Sequence, residues 1–359
     1  MGIVCCWNGL STVNINPNFS KLHMSFLMIG TQRSGSNLLR LMLNQMNGVA
    51  APHPPHILQR FMPLVPNYGD LSQGNNFQLL VDDVCRLVEL NPVVWEKVSL
   101  NREDVTARCK EQSLVAIFFA IYDILAETWG EQTWCCKSLA NVHYLPEIIS
   151  YSDTAKFIYL YRDGRDVALS FQKAVVGEKH IYQIARGWAK AQRKALQMQS
   201  ILGKDRFYRI SYESLVADPE TSLKGLCAFM DKEYTPEMLN FHQSSEATNA
   251  ASSSSLWGNV TKPIMKQNTK KFLKQATEEE IMIFELVAGD VLDALGYERV
   301  RIARGTEVGF SDLAIKEYEA INQRLKQEKR AEMDPEDLKR RDRQASLLQE
   351  IKQRKALLV

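Results

Sequence analysis

The stretch Ser25-Phe-Leu-Met-Ile-Gly-Thr-Gln-Arg-Ser-Gly-Ser-Asn-Leu38 decides the fold of this chain. It opens with a short apolar run that ends at Gly30, and apolar residues then recur at helical spacing from Leu38 to Met46. This pattern predicts a buried strand, a loop and a helix. Because Gly30 and Gly35 let the loop backbone curl, its N–H groups and the helix N-terminus can face an anion.

The side chains of this loop suit a phosphate-type group. Ser34, Ser36 and Asn37 supply hydrogen-bond donors, and Arg33 supplies a guanidinium cation. A Walker A loop needs Lys directly after its second glycine and then Ser or Thr, which organises Mg²⁺. Ser36 and Asn37 occupy those positions, and the G-x-G-x-x-G of dinucleotide-binding folds is absent. The loop therefore predicts an anion that is handled without Mg²⁺; the alternative is a tight turn without a ligand.

Two further strands indicate the architecture. Lys156-Phe-Ile-Tyr-Leu-Tyr161 and Arg206-Phe-Tyr-Arg-Ile-Ser211 are each followed by a helical pattern. Such alternation predicts an α/β protein with a P-loop-like three-layer fold, in which helices cover both faces of a central parallel sheet. Ligands of these folds bind beyond the carboxyl ends of the strands. The proline-rich residues 51–75 and the serine-rich residues 243–262 are expected to be loops.

The last part of the chain, residues 312–359, is a highly charged tail. Helical spacing gives it an apolar stripe of Ala314, Tyr318, Ile321 and Leu325. The pair Asp334-Pro335 predicts the start of a second helix. The sequence thus predicts an N-terminal extension (1–23), an α/β domain (24–300) and this C-terminal helical tail. Three roles stay open for the tail: packing on the core, pairing two copies into a homo-oligomer, or binding another partner.

Composition narrows the class of protein. The 359 residues are 45% hydrophobic and 24% charged, as in an average globular protein, and a net charge of +2 does not indicate a nucleic-acid partner. The longest apolar run, residues 114–122, is too short to span a bilayer, and residues 1–23 lack the pattern of a signal peptide. We therefore expect a cytoplasmic protein. Acylation at Gly2, Cys5 or Cys6 is the alternative for the N-terminus.

Two motifs resemble the sulfotransferases that use 3′-phosphoadenosine-5′-phosphosulfate (PAPS), in particular the branch with tyrosylprotein and bacterial small-molecule sulfotransferases. Residues 31–38 are similar to the 5′-phosphosulfate loop of that family, and residues 157–170 are similar to its 3′-phosphate motif. The resemblance implies that Arg33 contacts the transferring group and that Arg162 and Ser170 hold the 3′-phosphate. The other nucleotide contacts that it implies are with Gln32, Ser34, Gly35, Ser36, Asn37, Tyr212 and Lys262.

The resemblance also implies catalytic residues. Lys137 resembles a lysine that the family places before its second motif, although Ser-Leu follows it here instead of Thr/Asp-Pro; a surface lysine is the alternative. Counted from Arg33, His53 takes the position of the branch's glutamate base, and His56 is its near rival as base and acceptor contact. The alternative is a pair of solvent-exposed loop histidines. A metal site is not expected at this histidine pair, because the nearby sequence offers no third ligand.

We therefore expect a PAPS-dependent sulfotransferase that acts in biosynthesis on a hydroxyl or amine of a soluble small molecule, with a His base and without a metal. An alternative is a Mg²⁺-dependent P-loop kinase or nucleotidase, against which the missing Lys-Ser/Thr pair argues. The other alternative is a non-catalytic pseudo-enzyme that works through its helical tail.

Overall fold

A computed structural model describes residues 23–253 and 255–357. Within these ranges a parallel sheet contains β1 (Met24–Gly30), β2 (Val49–Ala50), β3 (Thr133–Cys136), β4 (Lys156–Tyr161) and β5 (Phe207–Ser211), in the order β2-β3-β1-β4-β5. The three strands predicted from the sequence are thus confirmed to within one residue. The predicted N-terminal extension lies, apart from His23, outside the described residues, and so do Gly2, Cys5 and Cys6.

Helices surround the sheet. They are α1 (Ser36–Leu43), α2 (Ile57–Phe61), α3 (Gly74–Glu89), α4 (Arg102–Arg108), α5 (Leu114–Trp129), α6 (Leu145–Tyr151), α7 (Gly164–Lys173), α8 (Ile181–Arg206), α9 (Tyr212–Ala217), α10 (Pro219–Phe229), α11 (Ser245–Ser253), α12 (Phe272–Gln275), α13 (Glu278–Leu295), α14 (Asp312–Ala331) and α15 (Pro335–Leu357). Segments of 3-10 helix are Met62–Tyr68, Leu139–His143, Pro236–Gln243 and Ser255–Thr261. In the part of the chain that the structure describes, no helix is long and apolar enough to cross a membrane.

The strands alternate their side chains between two apolar layers. Leu27 and Ile29 of β1 belong to a core that also contains residues of α3, α5, α8 and α13. Phe26 and Met28 belong to a second core, which β1 forms with α1 and α10. Because successive side chains of a strand point to opposite faces, the sheet is the middle of three layers. The predicted α/β fold with helices on both faces of a parallel sheet is therefore confirmed.

The expectation that residues 51–75 and 243–262 are loops is wrong. The first segment contains α2 and the 3-10 helix Met62–Tyr68, and the second contains α11 and the 3-10 helix Ser255–Thr261. Pro63 stands in the first turn of its helix, where the N–H that proline lacks has no internal partner anyway. Ser244 starts α11, because its hydroxyl accepts a 3.1 Å hydrogen bond from the Ala247 N–H. Pro63 and Ser244 thus stand at helix starts, whereas Pro66 lies inside the 3-10 helix Met62–Tyr68.

The C-terminal tail folds onto the α/β core. Both predicted helices are present, and the second begins at Pro335. Leu347 and Ile351 of α15 are buried, and the side-chain amide of Gln344 donates a 2.8 Å hydrogen bond to the Leu87 carbonyl of α3. Of the three roles that the sequence leaves open, packing on the core is therefore observed. A homo-oligomer formed through the tail stays a prediction.

Asp83 of α3 anchors the end of α15. Its buried carboxylate accepts two hydrogen bonds of 2.8 Å from Arg354, and further ones from Tyr68 and Arg86. We predict that Arg354→Ala lowers the free energy of unfolding by about 1–3 kcal/mol, because it removes a cation from a buried carboxylate. Urea unfolding measures this loss. Arg343→Ala, an exposed position on the same helix, should cost less than about 0.5 kcal/mol; equal losses would contradict the anchor.

Candidate active site

The loop between β1 and α1 passes so close to its neighbours that two positions require glycine. An added Cβ at Gly30 (φ 139°) would lie 2.2 Å from the carbonyl oxygen of Leu160 in β4. An added Cβ at Gly35 (φ 88°) would lie 2.4 Å from the Tyr212 ring. Between them, Arg33 also has a positive φ of 70°. A side chain in that backbone region is strained by about 1–3 kcal/mol, so neighbouring contacts must hold Arg33 in place.

A cavity of about 450 Å³, here called the anion cavity, opens at the carboxyl ends of β1, β4 and β5. The predicted residues that line it are Arg33, Gly35, Ser36, Asn37, Arg162, Ser170, Tyr212 and Lys262. They come from the loop after β1, the end of β4, α7, the start of α9 and the segment after α11. The structure thus brings both sequence motifs together at the sheet edge where α/β proteins bind ligands.

Arg33 and Arg162 join the two motifs. The Nε of Arg33 donates a 2.9 Å hydrogen bond to the Ser170 Oγ, and the Nη1 of Arg162 donates one of 3.2 Å to the Arg33 carbonyl. The Arg162 guanidinium also lies 4.4 Å from the centre of the Tyr212 ring, a cation–π distance. Burial and the nearby Arg162 lower the pKa of Arg33, but a guanidinium stays charged at neutral pH. Two neighbouring cations therefore face the cavity.

Asn268 closes one side of the anion cavity and is a contact that the sequence did not reveal. Its carbonyl accepts a 2.6 Å hydrogen bond from the Nη2 of Arg162, and its side-chain amide donates one of 2.8 Å to the Tyr212 hydroxyl. These partners are 106 and 56 positions away in the chain. No local spacing or capping pattern marks such a residue, so only the fold could identify it.

The lining of the anion cavity is strongly cationic. Its described basic residues are Arg33, Arg162, Lys173, Lys262 and Lys271. Asp166 is the one acid among its described lining residues. The Asp166 carboxylate is already engaged, since it accepts a 3.0 Å hydrogen bond from the Phe272 N–H and lies 3.7 Å from the Nη2 of Arg162. This surplus of positive charge suits a ligand with more than one negative group.

Two of the predicted nucleotide contacts, Gln32 and Ser34, are not among the residues that line the anion cavity. The Ser34 side chain is fully buried, and its hydroxyl has no hydrogen-bond partner within residues 23–253 and 255–357. Gln32 lines a second cavity, of about 470 Å³, together with Gly30 and Thr31. Because consecutive loop residues line different cavities, the loop is the wall between them. We call the second one the apolar cavity.

The apolar cavity differs in character from its neighbour. Its larger side chains are those of Tyr144, Phe171, Ile184 and Trp188, and its amides are those of Gln32, Gln59 and Gln183. Glu178 is the one carboxylate among the described lining residues. Burial and two nearby lysines lower the pKa of His143, which favours its neutral form at pH 7. The cavity is therefore suited to a largely uncharged molecule.

The loop and the second motif lie within a region that matches a known family. A sequence model described as the sulfotransferase family matches residues 26–236, more than half of the chain. The chain belongs to the sulfotransferase family. None of the curated proteins matches it.

Solved sulfotransferase domains share its fold. The sulfotransferase domain from the curacin biosynthetic pathway is 22% identical with a TM-score of 0.53, and the alignment covers 78% of this chain and 100% of that domain. The sulfotransferase domain from the Synechococcus PCC 7002 olefin synthase is 21% identical with a TM-score of 0.51, and covers 75% of this chain and 96% of its own. At these identities the likeness establishes the fold.

Lys137 of this sulfotransferase lies directly after β3 and is buried rather than a surface lysine. Burial is the main cause that lowers its pKa to about 7, and the charges of Arg40 and Arg33 lower it further. Arg40 is fully buried in α1 and donates a 2.6 Å hydrogen bond to the Glu246 carboxylate. Sequence reasoning missed Arg40, whose neighbours in the chain are all apolar. Lys137 thus completes a group of cations around the loop.

The two candidate histidines lie near each other, and neither is a solvent-exposed loop residue. Like Lys137, they are not among the described residues that line the anion cavity or the apolar cavity. His53 is buried, and the centre of its ring is 6.5 Å from that of His56. The Nδ1 of His56 is 3.2 Å from the Ser138 hydroxyl. Burial, Lys137 and Arg60 hold the pKa of His56 well below its usual value, so its ring is neutral at pH 7. A neutral imidazole can accept a proton, which a general base requires.

The low pKa of Lys137 predicts a pH-dependent stability effect. An unfolded lysine has a pKa of about 10.4, so the buried ammonium opposes folding fully below pH 7 and progressively less as the pH rises toward 10. We predict that Lys137→Met raises the free energy of unfolding by about 1–4 kcal/mol at pH 6 and by less at pH 9. Urea unfolding at both pH values measures this. Lys204→Met, at an exposed position, serves as the control. If Lys137→Met raised the free energy of unfolding equally at pH 6 and pH 9, a charged Lys137 would not be the cause.

Proposed function

We propose that this sulfotransferase moves the sulfuryl group of PAPS to a hydroxyl or amine of a small, largely uncharged acceptor. The observation that carries the proposal is the loop 30–37, which has a cationic cavity on one side and an apolar cavity on the other. PAPS carries a phosphosulfate and a separate phosphate, and an acceptor must approach the sulfur from the side opposite the leaving group. A charged donor site and a neutral acceptor site on the two sides of one loop meet both needs.

The anion cavity supports PAPS as the donor. Arg33, Ser36 and Asn37 would bind the 5′-phosphosulfate together with the N-terminus of α1, which begins at Ser36. Arg162 and Ser170 would bind the 3′-phosphate. Because Arg33 donates a hydrogen bond to Ser170, the two proposed sub-sites adjoin, which supports one ligand that carries both the 5′-phosphosulfate and the 3′-phosphate. Tyr212 would pack against the nucleotide and Lys262 would close over it.

The transfer is an in-line displacement in which the protein supplies position and charge. The acceptor oxygen or nitrogen forms a bond to sulfur, the bond between sulfur and the 5′-phosphate oxygen breaks, and adenosine 3′,5′-bisphosphate (PAP) leaves with the electron pair. His53 or His56 takes the acceptor proton. Arg33 and Lys137 stabilise the negative charge on the leaving phosphate. Bound phosphates raise the pKa of Lys137 above about 7, because negative charge favours its ammonium form.

The apolar cavity supports a small-molecule acceptor. Aromatic walls and three amides fit a ring or chain with a hydroxyl or amine group, and the cavity offers no arginine or lysine among its described lining residues to hold an acidic acceptor. Its position beside Gly30 and Gln32 would bring the reacting group to the loop. Action in biosynthesis and a cytoplasmic location stay predictions.

Arg162→Ala tests the donor site. In the unsubstituted protein PAP should bind more tightly than AMP, which lacks the 3′-phosphate. Arg162→Ala removes the proposed contact with the 3′-phosphate. The substitution should therefore weaken PAP binding by about 10- to 100-fold and leave AMP binding less affected, because hydrogen bonds to charged groups contribute about 1.5–3 kcal/mol. Titration calorimetry measures both ligands. The control is Arg193→Ala, an exposed arginine that pairs with Asp290 away from the cavity. Equal affinities for PAP and AMP in the unsubstituted protein would reject the 3′-phosphate site.

Transfer of ³⁵S-labelled sulfuryl groups from PAPS to a panel of uncharged phenols and alcohols tests the activity and its base. His53→Ala should lower turnover by about 100- to 10,000-fold, the range of general base catalysis, without a comparable loss of PAP affinity. An unchanged rate in His53→Ala together with a lost rate in His56→Ala would move the base to His56. Transfer that persists in both variants would reject a histidine base. Mg²⁺-dependent ATP hydrolysis without sulfuryl transfer would favour a kinase or nucleotidase instead.

A further inference from the structure

Residues 174–180, between α7 and α8, form one wall of the apolar cavity. Gly177 and Glu178 of this connecting loop line the cavity. Gly177 has a φ of 80°, and an added Cβ there would lie 2.6 Å from the Phe171 ring, which lines the same cavity. The backbone of the loop therefore packs tightly against a side chain of the cavity, and a shift of the loop would change the cavity's shape.

Lys179 closes this connecting loop upon itself. Its side chain is buried, and its ammonium group donates hydrogen bonds of 2.7 Å to the Val176 carbonyl, 2.9 Å to the Gly177 carbonyl and 3.0 Å to the Phe171 carbonyl. The ammonium thus uses carbonyls of its own loop and of the end of α7. The N–H groups at the end of the loop need a partner from elsewhere.

That partner is Asn322 of α14, which is almost completely buried. Its Oδ1 accepts hydrogen bonds from the backbone N–H groups of Lys179, at 2.8 Å, and His180, at 3.0 Å. Its amide nitrogen donates to the carboxylate of Glu178. One side chain of the tail therefore binds three consecutive residues of the cavity wall.

Two more residues of α14 contact the same loop. Tyr318 stacks on the His180 ring with the ring centres 4.5 Å apart, and the ammonium of Lys326 lies 3.2 Å from both carboxylate oxygens of Glu178. Tyr318, Asn322 and Lys326 are four residues apart and so share one face of the helix. This face, here called the clasp, lies outside residues 26–236, the part that the family model matches.

We propose that the clasp of α14 holds residues 174–180 in the shape that binds the acceptor, with Asn322 as its positioning residue. The proposal rests on the proposed function, since it takes the apolar cavity to be the acceptor site. The hydrogen bonds of the clasp go to residues 178–180, at the end of the loop where Gly177 and Glu178 line the apolar cavity. Ala174, at the other end of the loop, lines the anion cavity. Loss of the clasp therefore weakens acceptor binding more than nucleotide binding.

Asn322→Ala in the full chain tests the proposal with two readouts. Amide hydrogen exchange at Lys179 and His180 should become about tenfold faster or more, because both N–H groups lose a buried acceptor. The KM of the best acceptor in the phenol and alcohol panel should rise by about tenfold if the ordered loop falls to about a tenth of the population. The dissociation constant of PAP should stay within about twofold, which also shows that the variant is folded.

Two further variants control the test. Gln323→Ala, exposed on the same helix, should change none of these quantities. Lys326→Met keeps Asn322 and removes the ion pair with Glu178, so it should raise the acceptor KM by a smaller factor. Unchanged exchange in Asn322→Ala, faster exchange with an unchanged acceptor KM, or an equal loss of PAP affinity would each overturn the proposal. Absence of transfer by the unsubstituted protein would count against the proposed function instead, and the exchange rates would still decide whether α14 holds the loop.

Discussion

The hydrogen bonds that hold Arg33 in a left-handed backbone conformation are the constraint on which the rest of the site depends. Arg162 donates to the Arg33 carbonyl, and Ser170 accepts from the Arg33 side chain. Both partners come from the segment that ends β4 and forms α7, so the second motif supports the first as well as lining the same cavity. The close approach of Gly30 to β4 fixes where the loop begins. A strained loop of this kind persists only where the surrounding structure over-determines it.

The same loop explains why the molecule has two cavities of different character. Gln32 lines one cavity, and Arg33, the next residue of the turn, lines the other. An in-line displacement at sulfur needs the leaving group and the acceptor on opposite sides, and positive charge near the leaving group stabilises the charge that develops there. Arg162 and Lys173 line the anion cavity and Trp188 lines the apolar one, as the proposed donor and acceptor sites require.

The sequence predicted correctly those elements whose residues are adjacent in the chain. The apolar run of β1 and the glycines after it are adjacent in the chain, and the end of β4 repeats the same pattern, so both motifs could be placed at one sheet edge. Asn268 and Asn322 could not be identified, because their partners are between 56 and 144 positions away and a lone asparagine carries no periodic signal. Residues 51–75 were misjudged because prolines break long helices, whereas this segment folds into short ones, with Pro63 in the first turn of a 3-10 helix and Pro66 inside it.

Arg33, Arg40 and Lys137 are buried cations whose removal from water costs free energy in the folded protein. All three cations are largely removed from water, and burial lowers the pKa of each. Glu246 compensates Arg40, whereas Arg33 and Lys137 repel each other and oppose folding. A ligand with negative charge removes this repulsion when it binds, so part of its binding free energy is the relief of a penalty already present in the folded protein. Net charge of +2 over the whole chain hides this local excess, because acidic side chains elsewhere balance it. Under the proposed function, selectivity for a multiply charged donor would therefore come from where the cations are buried rather than from how many the protein contains.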